Sequence, residues 1–173
     1  MTSLLRAAFR PVPWLAALAL LCLAPAGGAR TGEIEPGEKA PLFRLDKAGG
    51  GQITSADIAG KVTLINFWAT WCAPCVREMP HLDTAYEKYR ARDFLIIGVN
   101  YQQDEKRVLG FLNKIPVSFP MALDTTGEFS RMFGVNALPV SVLIDQEGSI
   151  VKKLVGNLSI ATLEKWLGET LTR

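Results

Sequence analysis

Apolar residues fall into two rhythms along the chain, and the switches between them mark out the elements. From Val62 to Trp68 the run V-T-L-I-N-F-W is nearly continuous and β-rich, which predicts a buried strand. Phe94 to Asn100 is a second such run and predicts a strand covered on both faces. Between them Met79, Leu82, Ala85, Tyr86 and Tyr89 recur at helical spacing. They predict a helix from Cys72 to about Arg92 with one apolar stripe, kinked where Pro80 withdraws a backbone donor.

The flanking pattern is shorter-ranged. Pro41 to Leu45 alternates as a strand, Ala48 to Gly51 turns, and Gln52 to Thr54 returns as a hairpin arm. Ser55 is placed to cap a brief turn over residues 56–59. Asp104 to Lys114 reads as a helix with Val108, Phe111 and Leu112 inward, and Phe119 to Leu123 as a short strand. Thr125 and Thr126 are placed to cap a helix ending near Gly134. Val140 to Ile144 and Ile150 to Val155 form a hairpin about Gln146-Glu147-Gly148. Ser159 caps a closing helix with Leu163, Trp166 and Leu167 inward. This order predicts an α/β sandwich with a mixed sheet.

The first 29 residues do not belong to that pattern. Arg6 and Arg10, an apolar core from Trp14 to Leu23 and the small-x-small triplet Ala24-Pro25-Ala26 read as a secretory leader. It is either cleaved as a signal peptide or retained as a membrane anchor. Cys22 is read as part of its apolar core, because Leu21 is too large for a lipoprotein site. The expected organisation is leader 1–29, polar tether 30–40 and one domain over 41–173. Export implies an oxidising compartment, the periplasm, in which disulfides persist.

Charge and cysteine content then narrow the chemistry. The formal net charge of +2 disappears with Arg6 and Arg10, leaving 17 basic and 17 acidic residues. A balanced surface without a basic run offers no footprint for nucleic acid. A single histidine excludes multi-histidine metal sites. Outside the leader the cysteines are one pair, Cys72-Ala73-Pro74-Cys75. So short a loop removes little chain entropy, so the pair is a poor structural staple and a good reactive one. A zinc half-site would need two further ligands that the sequence does not offer.

The pair stands where a strand gives way to a helix. Unpaired N–H groups and the positive end of the peptide dipole there favour a thiolate. Cys75, three residues on, returns to the same face, and Pro74 fits a first turn in which its missing N–H is no loss. Thiols in such settings fall to roughly 3.5–7.5 from about 8.5.

With these residues the chain resembles the thioredoxin superfamily. Phe67-Trp68-Ala69-Thr70-Trp71-Cys72-Ala73-Pro74-Cys75 with Glu78-Met79-Pro80 is one matching motif, and Gly134 to Asp145 around Leu138-Pro139 is the other. The leader, the hairpin before the core and a helix–strand insert over 101–123 are most like the exported TlpA/ResA/DsbE-type branch. The resemblance implies a thioredoxin-like fold, three-layered with a central mixed sheet flanked by helices. It implies that Pro139 is cis and packs against the dithiol, and that Trp71, Pro74 and Leu138 form the surface on which an extended partner docks. Cys72 would attack and Cys75 resolve, with no cofactor beyond the redox-active disulfide.

Asn66 stands where cytosolic thioredoxins carry a buried aspartate. An amide cannot shuttle a proton, so Glu78 is the replacement candidate, set against the alternative of a solvated helix glutamate. The branch implies a reductase with a potential below about −120 mV; a monomer is expected because nothing in the sequence demands self-association. Its partners would be exported disulfide proteins, apocytochrome c or copper-handling factors of cytochrome oxidase assembly, with a membrane thiol-electron donor to recharge it. Two competing readings keep the same cysteines: a copper chaperone, with His81 as a geometrically poor third ligand, and a thiol peroxidase. The peroxidase pattern places its threonine three before the cysteine, whereas Thr70 is two before Cys72.

Overall fold

The computed structural model describes residues 34–171. The leader and the first part of the tether lie outside the described residues. The elements are β1 (Arg44–Lys47), β2 (Gln52–Thr54), α1 (Ser55–Ile58), β3 (Val62–Trp68), α2 (Ala73–Tyr89), β4 (Phe94–Tyr101), α3 (Glu105–Leu112), β5 (Met121–Asp124), α4 (Glu128–Met132), β6 (Val140–Ile144), β7 (Ile150–Val155) and α5 (Ile160–Thr170). The strands form one mixed sheet in the order β2-β1-β5-β4-β3-β6-β7. β3, β4 and β5 run parallel, while β6, β7, β1 and β2 pair antiparallel.

Alternation along the central strands divides the core in two. Val62, Leu64 and Trp68 face one way, packing with Met79, Leu82 and Ala85 of α2, Val108 of α3, and Leu163 and Leu167 of α5. Ile65 and Phe67 face the other way, packing with Ile58 of α1 and with Phe129 and Phe133 around α4. The fold is therefore three-layered, with helices on both faces of the sheet. The expected insert supplies α3 and β5. β5 extends the parallel run and α3 lays Phe111 against Trp68, with ring centroids 5.2 Å apart.

Several boundaries differ from the sequence reading, each for a tertiary reason. The first strand starts at Arg44 rather than Pro41, because Asp46 and Lys47 also pair with β5, and Leu42 is left 87% exposed. The fifth strand starts at Met121 rather than Phe119. Ser55 does not cap α1. Its hydroxyl accepts the Phe43 N–H at 2.7 Å, and Thr54 with Asp57 forms the capping box instead. The start of α4 is held chiefly by Asp124, whose carboxylate accepts the N–H groups of Phe129 (3.3 Å) and Ser130 (2.7 Å). The Thr126 hydroxyl accepts the Glu128 N–H, at 3.2 Å. α2 passes through Pro80 as one element, with Thr84 Oγ1 donating to the Pro80 carbonyl at 2.9 Å. Residues 37–40, inside the expected tether, hydrogen-bond to the β6–β7 turn through Gly37, Glu38 and Ala40.

Candidate active site

The site is built where β3 ends. Ala69 is buried at the foot of a turn, and its carbonyl accepts the Cys72 N–H at 3.1 Å. Cys72 is the N-cap of α2, with Pro74 in the first turn and no acidic residue there to oppose the positive end of the helix. Its carbonyl accepts the Val76 N–H at 3.1 Å, and its sulfur accepts the Cys75 N–H at 3.3 Å. Thus one of the N–H groups that a helix start leaves without a helical partner, that of Cys75, is aimed at this sulfur. Cys72 and Cys75 are closed as a disulfide, with S–S 2.00 Å and Cα–Cα 5.3 Å. Cys72 is 5% exposed and Cys75 fully buried, the order required of an attacking and a resolving sulfur.

The second motif arrives through the sheet. β6 pairs antiparallel with β3, Phe67 opposite Val140, which brings residue 139 to the end of β3 from which the dithiol turn departs. The Leu138–Pro139 peptide is cis, Pro139 is buried, and its carbonyl accepts the Gly156 N–H at 2.8 Å. Trp71, 65% exposed, and Leu138, half-buried, line one shallow groove with Tyr101, Val135, Asn136 and Ala137. Pro74 is half-buried in the first turn of α2 and does not line that groove.

Glu78 is not a solvated helix residue. It is 1% exposed, on the face of α2 that meets the sheet. Oε1 accepts from Asn66 Nδ2 at 2.8 Å and Oε2 from the Leu158 N–H at 2.9 Å. Asn66 Nδ2 also approaches Ser141 Oγ at 3.1 Å, so β3, β6 and α2 share one buried polar cluster. Burial pushes the Glu78 carboxyl above its usual range, against the opposing pull of the bonds from Leu158 and Asn66. A carboxyl so placed, one helical turn beyond Cys75, keeps its proton to higher pH than an ordinary glutamate does.

Other polar contacts have no counterpart in the sequence reading. Gln103, just beyond β4, is buried, with its amide on Thr70: Oε1 accepts the Thr70 N–H at 2.8 Å and Nε2 donates to Thr70 Oγ1 at 2.8 Å. No local pattern announces a contact made 33 residues away. Polar residues inside apolar strands were the available cue: Asn66 and Ser141 for the Glu78 cluster, and Asn100, whose Nδ2 donates to Gln103 Oε1 at 3.1 Å, for this one. His81 is exposed, and among the described residues no cluster of three or more His, Cys, Asp or Glu assembles that could hold a metal ion.

Comparison with known proteins agrees with this geometry. The family model described as Redoxin matches residues 35–167. The thiol-disulfide oxidoreductase ResA of Bacillus thuringiensis subsp. konkukian is 35% identical over 135 residues, which cover 78% of each chain. ResA of Bacillus subtilis is 32% identical over 134 residues, covering 78% of this chain and 75% of that one. A crystal structure from Chlorobium tepidum, described as a thiol:disulfide interchange protein DsbE, superimposes with a TM-score of 0.75. It is 32% identical, and the match covers 80% of this chain and 99% of that one.

Proposed function

Because the chain belongs to the Redoxin family, we propose that it is an exported reductant of partner-protein disulfides, serving cytochrome c maturation or assembly of a copper site in cytochrome oxidase. The broader activity is not in question: the chain is a protein-disulfide oxidoreductase with a thioredoxin-like fold. The observation that carries the proposal is the Cys72–Cys75 pair at the first turn of α2, at the end of the sheet to which the cis peptide at Pro139 is brought.

In the reduced protein the Cys72 thiolate attacks one sulfur of the partner disulfide. A mixed disulfide forms, and the second partner sulfur leaves as a thiolate. Cys75 gives up its proton and attacks Cys72 Sγ. The bond from Cys72 to the partner breaks, the first partner sulfur leaves as a thiolate, and the Cys72–Cys75 bond closes. Two electrons have passed from the dithiol to the partner. Glu78 is the group proposed to take the Cys75 proton, since the Asn66 amide beside it cannot. Trp71 and Leu138 would hold an extended partner segment, with Pro74 at its edge. A membrane thiol-electron donor would return the disulfide to the dithiol.

The Thr70 hydroxyl is engaged by Gln103, which disfavours its use in peroxide chemistry. The decisive experiment is a Cys75→Ser variant of the full chain, which should accumulate a mixed disulfide through Cys72 with an apocytochrome c or a copper-handling factor. Failure to trap either one, or a potential as high as about −120 mV, would overturn the reductant assignment.

A further inference from the structure

Gln103 is 7% exposed and meets one residue of the active-site turn with both ends of its amide. It accepts the Thr70 N–H at 2.8 Å and donates to Thr70 Oγ1 at 2.8 Å. Asn100 Nδ2 donates to the same Oε1 at 3.1 Å, which orients the amide from the end of β4. Thr70 stands two residues before Cys72 and one before Trp71, whose exposed ring gives the turn little packing of its own. While the disulfide is closed, Cys72 is also held covalently to Cys75. Once it opens, that restraint is gone. The turn then keeps the Cys72 N–H bond to Ala69, the start of α2 and the two-point hold on Thr70.

We propose that Gln103 is a positioning residue that keeps the Thr70–Cys72 turn in place in the dithiol state, so that the Cys72 thiolate stays on the N-terminus of α2. The inference rests on thiol–disulfide exchange itself and not on the identity of the physiological partner. Removing the hold acts mainly on the form that lacks the covalent one. It should therefore favour the disulfide over the dithiol, whereas a merely structural glutamine would weaken both forms alike.

The test equilibrates the purified protein with glutathione redox buffers at fixed pH and reads the dithiol fraction, with urea unfolding of both redox forms alongside. Gln103→Leu loses both bonds to Thr70, together with the one from Asn100, and should shift the equilibrium toward the disulfide by about tenfold, a potential lower by about 30 mV. Thr70→Val loses only the hydroxyl bond and should shift it the same way by less. Thr70→Ser keeps both bonds and should match the parent. In urea, Gln103→Leu should weaken the reduced form more than the oxidised form. Equal weakening of both forms with an unmoved equilibrium overturns the inference, as does a shift toward the dithiol or a Thr70→Ser shift equal to that of Thr70→Val. Should Gln103→Leu fail to fold, the Thr70→Val and Thr70→Ser pair decides alone. Because glutathione is the only partner used, the outcome is independent of whether the Cys75→Ser trap captures the proposed proteins.

Discussion

Cys72 and Glu78 are adjacent problems in electrostatics with opposite solutions. The sulfur sits at the N-terminus of α2 and accepts the Cys75 N–H, which favours its charged form, so alkylation of the reduced protein should titrate below the ordinary thiol value of about 8.5. Rates measured with a small alkylating agent across pH check this, and a free-cysteine profile would remove the activation argument. The Glu78 carboxyl is instead pushed up by burial, so the folded state binds its proton more tightly than the unfolded state does. Its contribution to stability is thus full below the ordinary glutamate value of 4.5 and is lost as pH rises through the raised folded value. Glu78→Gln should flatten that part of the profile, which urea unfolding at stepped pH would show. The residue types at this site could be read from the sequence, Cys72, Cys75 and Glu78 among them. The burial of Glu78 could not be read, because one of the two groups that bond its carboxylate, the Leu158 N–H, lies 80 positions away.

Among the helices, the long ones follow their local pattern and the short ones do not. α5 begins at Ser159, whose hydroxyl accepts the Thr162 N–H at 3.1 Å. Ser159→Ala should therefore cost about 1 kcal/mol, measured by urea unfolding. α1 and α4, of four and five residues, start from caps that the hairpin and β5 supply, which is why Ser55 and Thr125 were misleading. β4 carries Gly98 facing β5. A Cβ there would collide with Met121 Sδ and come within 3.2 Å of Phe119 Cε2. Gly98→Ala should cost about 1–3 kcal/mol as these side chains are forced aside. A variant as stable as the parent would mean that Met121 swings clear without loss.

The whole molecule is a sheet covered on both faces, and neighbouring residues of β3 test this directly. Leu64 packs under α2 and α5, Ile65 under the opposite layer, and both are fully buried. Leu64→Ala and Ile65→Ala should each lower stability by about 2–5 kcal/mol in urea titrations. A sheet with one wet face would register only one of the two losses. The continuous apolar runs of β3 and β4 had already announced double coverage, since a strand with one wet face alternates. The helix that starts at a cysteine, the partner cysteine one turn on and the mixed sheet were equally determined by the sequence alone, because periodicity and capping act over a few residues. Only the tertiary structure decided that Pro139 reaches the end of β3, that Glu78 is dry and that Gln103 grips Thr70. Those contacts join residues 33 to 80 positions apart, and which ones form depends on how the strands are ordered and registered, which no local pattern encodes.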